Sequence, residues 1–424
     1  MRLFASQWRG RGSNVYIDPG SAYCIDNLEA VPTAGFSWRS TVVFQPPTRG
    51  ALPARFGDGV ANIPDIGPST LNADVYRDPE RYELERTRVL NRSWQIICRS
   101  EEIKNPGDFH VWEGHGESIV ITRRKDGGLS GFHNVCQHRG ARIVPQSGTD
   151  ARRFNCRWHN WAYDVEGNVI GVPDREDFDA NQLAGLCAPA LDLDEWGGWV
   201  FAVLAGPGAA GPLLDWIGPE IVGDLGAYHM EGMKLVEKLT WEVDVNWKVV
   251  VDAFNELYHA QALHHIPAKD AKDGREATID VFERNGMMVV PFKGVLPKLR
   301  ETGDHQALAI CHYTLFPTSV FNNNPEHIQL FRSVPLSVDK TRFETWELQY
   351  ISDDADYNER TMKHWEHLKE VVQEDVDEWV DLAAVKNSSA YKQNIFNDHE
   401  CKITQFHRVV DDMLQGGSGL GLHH

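Results

Sequence analysis

Two short Cys/His pairs constrain this chain more than any other feature. Residues 136–159 read Cys136-Gln-His138, then seventeen residues, then Cys156-Arg-Trp-His159. Two thiolates and two imidazoles delivered by two short loops make a four-ligand metal site. A chance clustering of these residue types would not set each pair so tightly among loop-forming residues. Two metals compete for such a set. Cys2His2 is a common structural zinc set, but zinc loops usually pair like with like, whereas here each loop supplies one Cys and one His. That mixed order suits a 2Fe-2S cluster in which one iron takes both cysteines and the other both histidines.

The words around the ligands sharpen this reading. Asn134-Val-Cys136-Gln-His138-Arg-Gly140-Ala-Arg142 and Cys156-Arg-Trp-His159-Asn-Trp161-Ala-Tyr163-Asp-Val-Glu-Gly167 resemble the Rieske domain of ring-hydroxylating oxygenase large (alpha) subunits. Imidazole ligands and backbone donors to the sulfurs raise the potential of such a cluster above that of a four-cysteine one. It is therefore suited to delivering electrons and does no organic chemistry itself.

At 424 residues, 42% of them hydrophobic, the chain has room for a second domain with its own core. Its formal net charge of −19 argues against nucleic acid or an anionic membrane as partner. Outside the ligand set, Cys24, Cys98, Cys187, Cys311 and Cys401 show no paired spacing, which reads as reduced thiols in a cytoplasmic setting. The longest uncharged stretch, 196–214, is too short and too interrupted by Pro207, Pro212 and glycines to span a bilayer. No signal peptide is evident.

In chain order, residues 1–71 are rich in Gly, Pro, Arg and Ser without a sustained period, and read as a poorly ordered extension rather than a packed arm. Residues 72–92 follow with an Asp78-Pro79 start and helical spacing, a leading helix expected to pack with the catalytic domain. Strands at 94–98, 118–122 and 199–204 place an all-β cluster domain at 93–205, closed by a linker at 205–212. Strands at 234–243, 287–291, 309–315, 328–334 and 343–350, interrupted by helices at about 246–262 and 357–385, fill a domain at 206–414. The fold class expected is α+β: the all-β domain precedes a catalytic domain with a curved antiparallel sheet covered by helices, of helix-grip type. A tail at 415–424 carries His423 and His424, read as inert.

The helix at 246–262 bears a second site. Asp252, Glu256 and His259 are spaced i, i+4, i+7 and would share one helical face. His259 and His264 are five apart and lie about 140° apart on a regular helix. They meet on one ion only if the helix ends or unwinds between them, and geometry leaves His264 and His265 equivalent. Glu-x-Tyr-His with a second His five positions on resembles the mononuclear-iron motif of the same oxygenase family, which selects His264. Glu256 stands where the family usually has Asp and keeps its charge. An oxygen-activating iron also needs a carboxylate, and residues 371–379 hold four acids, Glu374, Asp375, Asp377 and Glu378. Similarity to the family's Gln-Glu-Asp segment points to Asp375, with Glu374 next.

The resemblance covers residues 72–414. It implies a Rieske 2Fe-2S cluster, one mononuclear Fe(2+), a small organic substrate and O2. It implies a homotrimer, or a trimer with small beta subunits, in which Glu256 bridges the iron of one subunit and the cluster of its neighbour. No Gly-x-Gly-x-x-Gly follows a strand and opens a helix, so a separate reductase, with or without a ferredoxin, must oxidise NADH. The implied activity is that of a terminal oxygenase, hydroxylating or cis-dihydroxylating an aromatic or similar apolar ring. The alternative is a monooxygenase that oxidises, or removes methyl groups from, a quaternary amine or other methylated substrate. A reading from another class is an electron-transfer Rieske protein with a non-catalytic ligand-binding domain.

Overall fold

The computed structural model describes residues 14–17, 66, 69–264 and 276–419. After an edge strand, β1 (Asn14–Ile17), and a short strand, β2 (Ser69–Asn72), comes α1 (Pro79–Glu85). Asp78 starts α1 by accepting the free N–H groups of Glu80 and Arg81, and Pro79 fills the first turn, where no N–H partner is needed.

Residues 95–203 form three small antiparallel sheets from β3 (Gln95–Arg99), β4 (Phe109–Gly114), β5 (Glu117–Arg123), β6 (Leu129–His133), β7 (Phe154–Asn155), β8 (Ala162–Tyr163) and β9 (Val169–Gly171), then, after α2 (Ala180–Leu183), β10 (Asp192–Trp196) and β11 (Trp199–Val203). Ile97, Ile119, Ile121, Val200 and Ala202 join two of these sheets. Phe132, Phe154, Trp161 and Tyr163 build a second core around Cys136 and Cys156.

The remaining elements are α3 (Leu213–Ile217), α4 (Pro219–Gly226), β12 (Lys234–Val243), α5 (Trp247–Ala253), α6 (Ala260–Leu263), β13 (Thr278–Phe282), β14 (Asn285–Pro291), α7 (Leu296–Thr302), α8 (His305–Leu308), β15 (Ala309–Leu315), β16 (Ser319–Asn323), β17 (His327–Ser337), β18 (Lys340–Gln349), α9 (Ala355–Val385), β19 (Gln393–Phe396) and α10 (Cys401–Leu414). They are organised by an eight-stranded antiparallel sheet, ordered β1-β12-β18-β17-β16-β15-β14-β13. Side chains alternate between its faces. On one face Met287, Val289, Tyr313, Phe321, Leu330 and Trp346 pack against α4 and against Trp199 and Phe201 of β11. On the other Trp241, Val320, Phe331 and Phe343 receive Phe254, which follows α5, and Trp365, Val372 and Trp379 of α9. No helix among the described residues is long and apolar enough to cross a membrane.

Two expectations change here. Residues 14–17 and 69–71, within the stretch read as a poorly ordered extension, pair with β12 and β19 respectively, and Asn72, read as the start of the leading helix, also pairs with β19. The helix expected over 246–262 is two helices, because α5 stops at Ala253. Phe254 stacks on Phe331 at 4.2 Å, and the Glu256 carboxylate takes the N–H groups of Tyr258 and His259, so this backbone is satisfied without a continuous helix. Asp252 consequently does not share a face with Glu256 and His259. It accepts from Tyr76 Oη at 2.7 Å and lies 3.1 Å from His407 Nε2.

Candidate metal centres and active site

The two Cys/His loops are tight turns over the ends of β6 and β7. Cys136 N–H donates to Ala141 O, and Gly140, at a φ of 74°, turns the chain back. The second loop repeats this with Cys156 N–H on Trp161 O and Asn160 at a φ of 57°. Both sulfurs are buried and interact with each other, without a disulfide. The His138 and His159 rings lie 4.5 Å apart, and His138 stacks on Trp161 at 5.0 Å. The site thus has a sulfur end and an imidazole end.

Among the described residues, three donor atoms gather within 4.8 Å only at Cys98–Glu102–His110 and at His259–His264–Asp375. The four Cys/His donors therefore do not close on a single point, as tetrahedral zinc requires. Two separated pairs fit a diiron cluster, and His138 Nδ1 is buried without a hydrogen-bond partner among the described residues, as a ligand nitrogen would be. Tyr163 Oη, missed in the sequence, donates to Cys136 Sγ at 3.2 Å, and the His138 N–H also reaches that sulfur. The only sequence signal for Tyr163 was an aromatic two residues past Trp161.

His259 and His264 flank the single turn of α6 as its two caps. Breaking the helix before His259 lets both imidazoles turn toward α9. Asp375 Oδ1 lies 3.5 Å from His259 Nε2 and 3.7 Å from His264 Nε2. The opposite ring nitrogens are held by other carboxylates: His259 Nδ1 by Glu256, and His264 Nδ1 by Glu374 at 2.9 Å. Glu374 thus lies behind a histidine, while Asp375 faces the common point. Burial pushes the Asp375 carboxyl up to about 7, with Glu256 and Glu374 adding to the rise against the pull of His259. Three carboxylates around two imidazoles leave an excess of negative charge, which suits a divalent cation, and two His with one carboxylate is the donor set of a non-haem iron. His265, His423 and His424 lie outside the described residues.

The other three-donor group does not suit a cation. Burial and the charges of Lys238 and Arg332 push His110 down to about 3, so a further positive charge is opposed there.

Residues 93–184 match the family described as Rieske [2Fe-2S] domain, and residues 230–416 match the ring hydroxylating alpha subunit (catalytic domain) family. The chain belongs to the Rieske ring-hydroxylating oxygenase alpha-subunit family. Membership implies a Rieske 2Fe-2S cluster and a mononuclear iron, which the two donor sets fit. Chlorobenzene dioxygenase subunit alpha of Cupriavidus sp. is 32% identical over 45% of the chain and 43% of that protein. The carnitine monooxygenase oxygenase subunit of Escherichia coli is 31% identical over 46% of the chain and 52% of that protein. The match thus spans about half the length of these curated relatives. The fold is shared with a crystal structure of a quaternary ammonium Rieske monooxygenase, at a TM-score of 0.70 and 19% identity over 82% of this chain and 95% of that one.

Proposed function

We propose that the chain is a terminal oxygenase component that takes electrons from a separate reductase, directly or through a ferredoxin, and uses O2 to hydroxylate an aromatic or similar apolar ring. The observation that carries this is the convergence of His259 Nε2, His264 Nε2 and Asp375 Oδ1 in a chain that also holds a cluster site. On this reading Cys136, His138, Cys156 and His159 hold the cluster, and residues 206–414 form the catalytic domain. When bound, the mononuclear iron supplies oxygen activation. Glu256 and Glu374 fix the His259 and His264 rings so that both Nε2 atoms point inward. An electron carrier with an inert binding domain would have no use for this second donor set.

Glu256 has a further role in this proposal. Its Oε1 meets His259 and its Oε2 meets the Tyr258 and His259 N–H groups, and a carboxylate has acceptor capacity beyond these. In a trimer it would also accept from a cluster histidine of the neighbouring subunit. Glu256→Gln should keep both metals yet slow electron transfer between them, and unchanged turnover would exclude the bridging role. A cytoplasmic setting is part of this reading, in which Cys98, Cys187, Cys311 and Cys401, none of them in a disulfide, are reduced thiols.

The second reading, oxidation of a quaternary or methylated amine, draws support from the carnitine monooxygenase relative. Product analysis with arenes and methylamines, a surrogate reductase and labelled O2 separates the two. Two labelled oxygens in a diol indicate dioxygenation, one in a phenol or alcohol indicates monohydroxylation, and formaldehyde release indicates demethylation.

A further inference from the structure

The sheet face beneath the iron site is crossed by a row of polar side chains. Glu237 of β12 pairs with Glu347 of β18, Glu347 with Gln329 of β17, Gln329 with Asn322 of β16, and Asn322 with His312 of β15. Cross-strand partners share a face, so this is one continuous polar line through the interior of a domain. The next row consists of Leu239, Thr345, Phe331, Val320 and Thr314.

The segment that carries the iron donors covers this face. Phe254 stacks on Phe331, Asn255 Oδ1 accepts from Thr314 Oγ1, and Leu257 packs against the cluster that contains Met288, the partner of His312 on β14. At the other end Trp365 of α9, ten residues before Asp375, donates to Glu237 at 2.6 Å. His312 and Asn322 thus lie between the two elements that bring the donors together. His312 is the one position of β15 that is half-buried rather than buried, so the row is not fully closed over at that point.

The row is also polarised. Glu347 accepts from Gln329 Nε2 at 3.0 Å and from Gln349 Nε2 at 2.9 Å. A carboxylate that accepts on both oxygens turns each neighbouring amide NH2 toward itself. Gln329 then offers Oε1 to Asn322 Nδ2 at 2.6 Å. Asn322 must therefore aim Oδ1 away from Gln329, and that atom is buried with no hydrogen-bond partner among the described residues. A buried acceptor without a donor is costly, and a ligand that brings the donor removes that cost.

We propose that the Glu347–Gln329–Asn322–His312 row is the substrate-recognition floor of this site and selects rings that carry a hydrogen-bond donor, a hydroxyl or an N–H. The inference rests on the oxygenase reading and narrows its substrate class. Asn322 touches the substrate, and Glu347 is a positioning residue that sets the amide orientation from two strands away.

The test is anaerobic calorimetric binding to holoenzyme loaded with cluster and iron, using four rings of similar size: p-cresol, p-toluidine, 4-methylanisole and p-xylene. The two donors should bind about ten-fold or more tighter than the other two, the equivalent of one buried hydrogen bond. Asn322→Leu should remove that advantage while leaving p-xylene affinity within about two-fold. Glu347→Gln, which lets the amides flip, should narrow the gap between p-cresol and 4-methylanisole without touching either. Equal binding of p-xylene and p-cresol by the native protein, no binding of the donors, or an advantage that survives Asn322→Leu would overturn the proposal. Oxygenated products from rings bound without preference would sink this inference alone. No oxygenated product from any arene or methylamine by fully loaded enzyme would sink the oxygenase reading beneath it.

Discussion

Single atoms separate the roles of neighbouring residues. Glu374 and Asp375 are adjacent acids on α9, yet one meets His264 Nδ1 at 2.9 Å and the other approaches both Nε2 atoms. Carboxylates behind metal-binding histidines orient the ring and raise its basicity, and their loss typically costs 10–100-fold in metal affinity. Glu374→Ala should weaken Fe(2+) binding by about that factor, measured by competition with a chelator, and leave the visible cluster spectrum intact. Lys402 shows a different residue-scale effect. Its Nζ is buried with no partner among the described residues, beside a cavity of about 10 Å³ next to Thr314 and Arg284, and burial pushes its amine down to about 7. Between that value and the unfolded value of about 10.4 the unfolded chain holds the extra proton, so stability rises with pH. The penalty is complete below pH 7 and gone above about 10.4. Lys402→Met should therefore raise stability by a few kcal/mol near pH 7, with the gain shrinking toward pH 10, as followed by urea unfolding.

Elements are joined by buried charge as well as by apolar packing. Arg332 of β17 donates to Ile96 O at 2.5 Å and Ile97 O at 3.0 Å on β3, and pairs with Glu344 of β18. It thereby ties the β10-β11-β3 sheet to the large one. Burial alone would raise the Glu344 carboxyl, but Arg332, Lys238 and Arg342 hold it well below the usual carboxylate range. A depressed carboxylate stabilises fully above its unfolded value, about 4.3, and that contribution is lost as pH falls toward the folded value. Glu344→Gln leaves three cations without their anion and should cost about 3–5 kcal/mol from pH 5 to 8, with the difference from the native protein narrowing below about pH 4. The break between α5 and α6 belongs to this scale too. Hydrophobic spacing through Val249, Val250, Ala253 and Leu257 continues past the true end of α5. What stops the helix is Phe254 stacking on a strand some eighty residues away and Glu256 capping its own turn, and neither leaves a periodic trace.

On the proposed assignment the whole molecule divides its work between two donor sets, and metal content reads each one separately. Loaded protein should hold three irons per chain, and His259→Ala should hold two while keeping the cluster's visible absorption. Zinc in place of iron, without visible absorption, would contradict both assignments. The sequence by itself pointed to the two proposed donor sets and determined the order of domains around them. Each Cys/His pair, and the His259–His264 spacing, is a local pattern written within a few residues. The long alternating strands of the large sheet, such as 234–243 and 309–315, are local in the same sense, because a strand's two faces appear in its own text. The tertiary structure decided which adjacent acid faces the histidines, where Tyr163 points, and that Glu237, Glu347, Gln329, Asn322 and His312 form one line. These residues come from five strands that span more than a hundred positions. Their shared face is created by sheet register, a relation between distant segments that no single stretch of sequence contains.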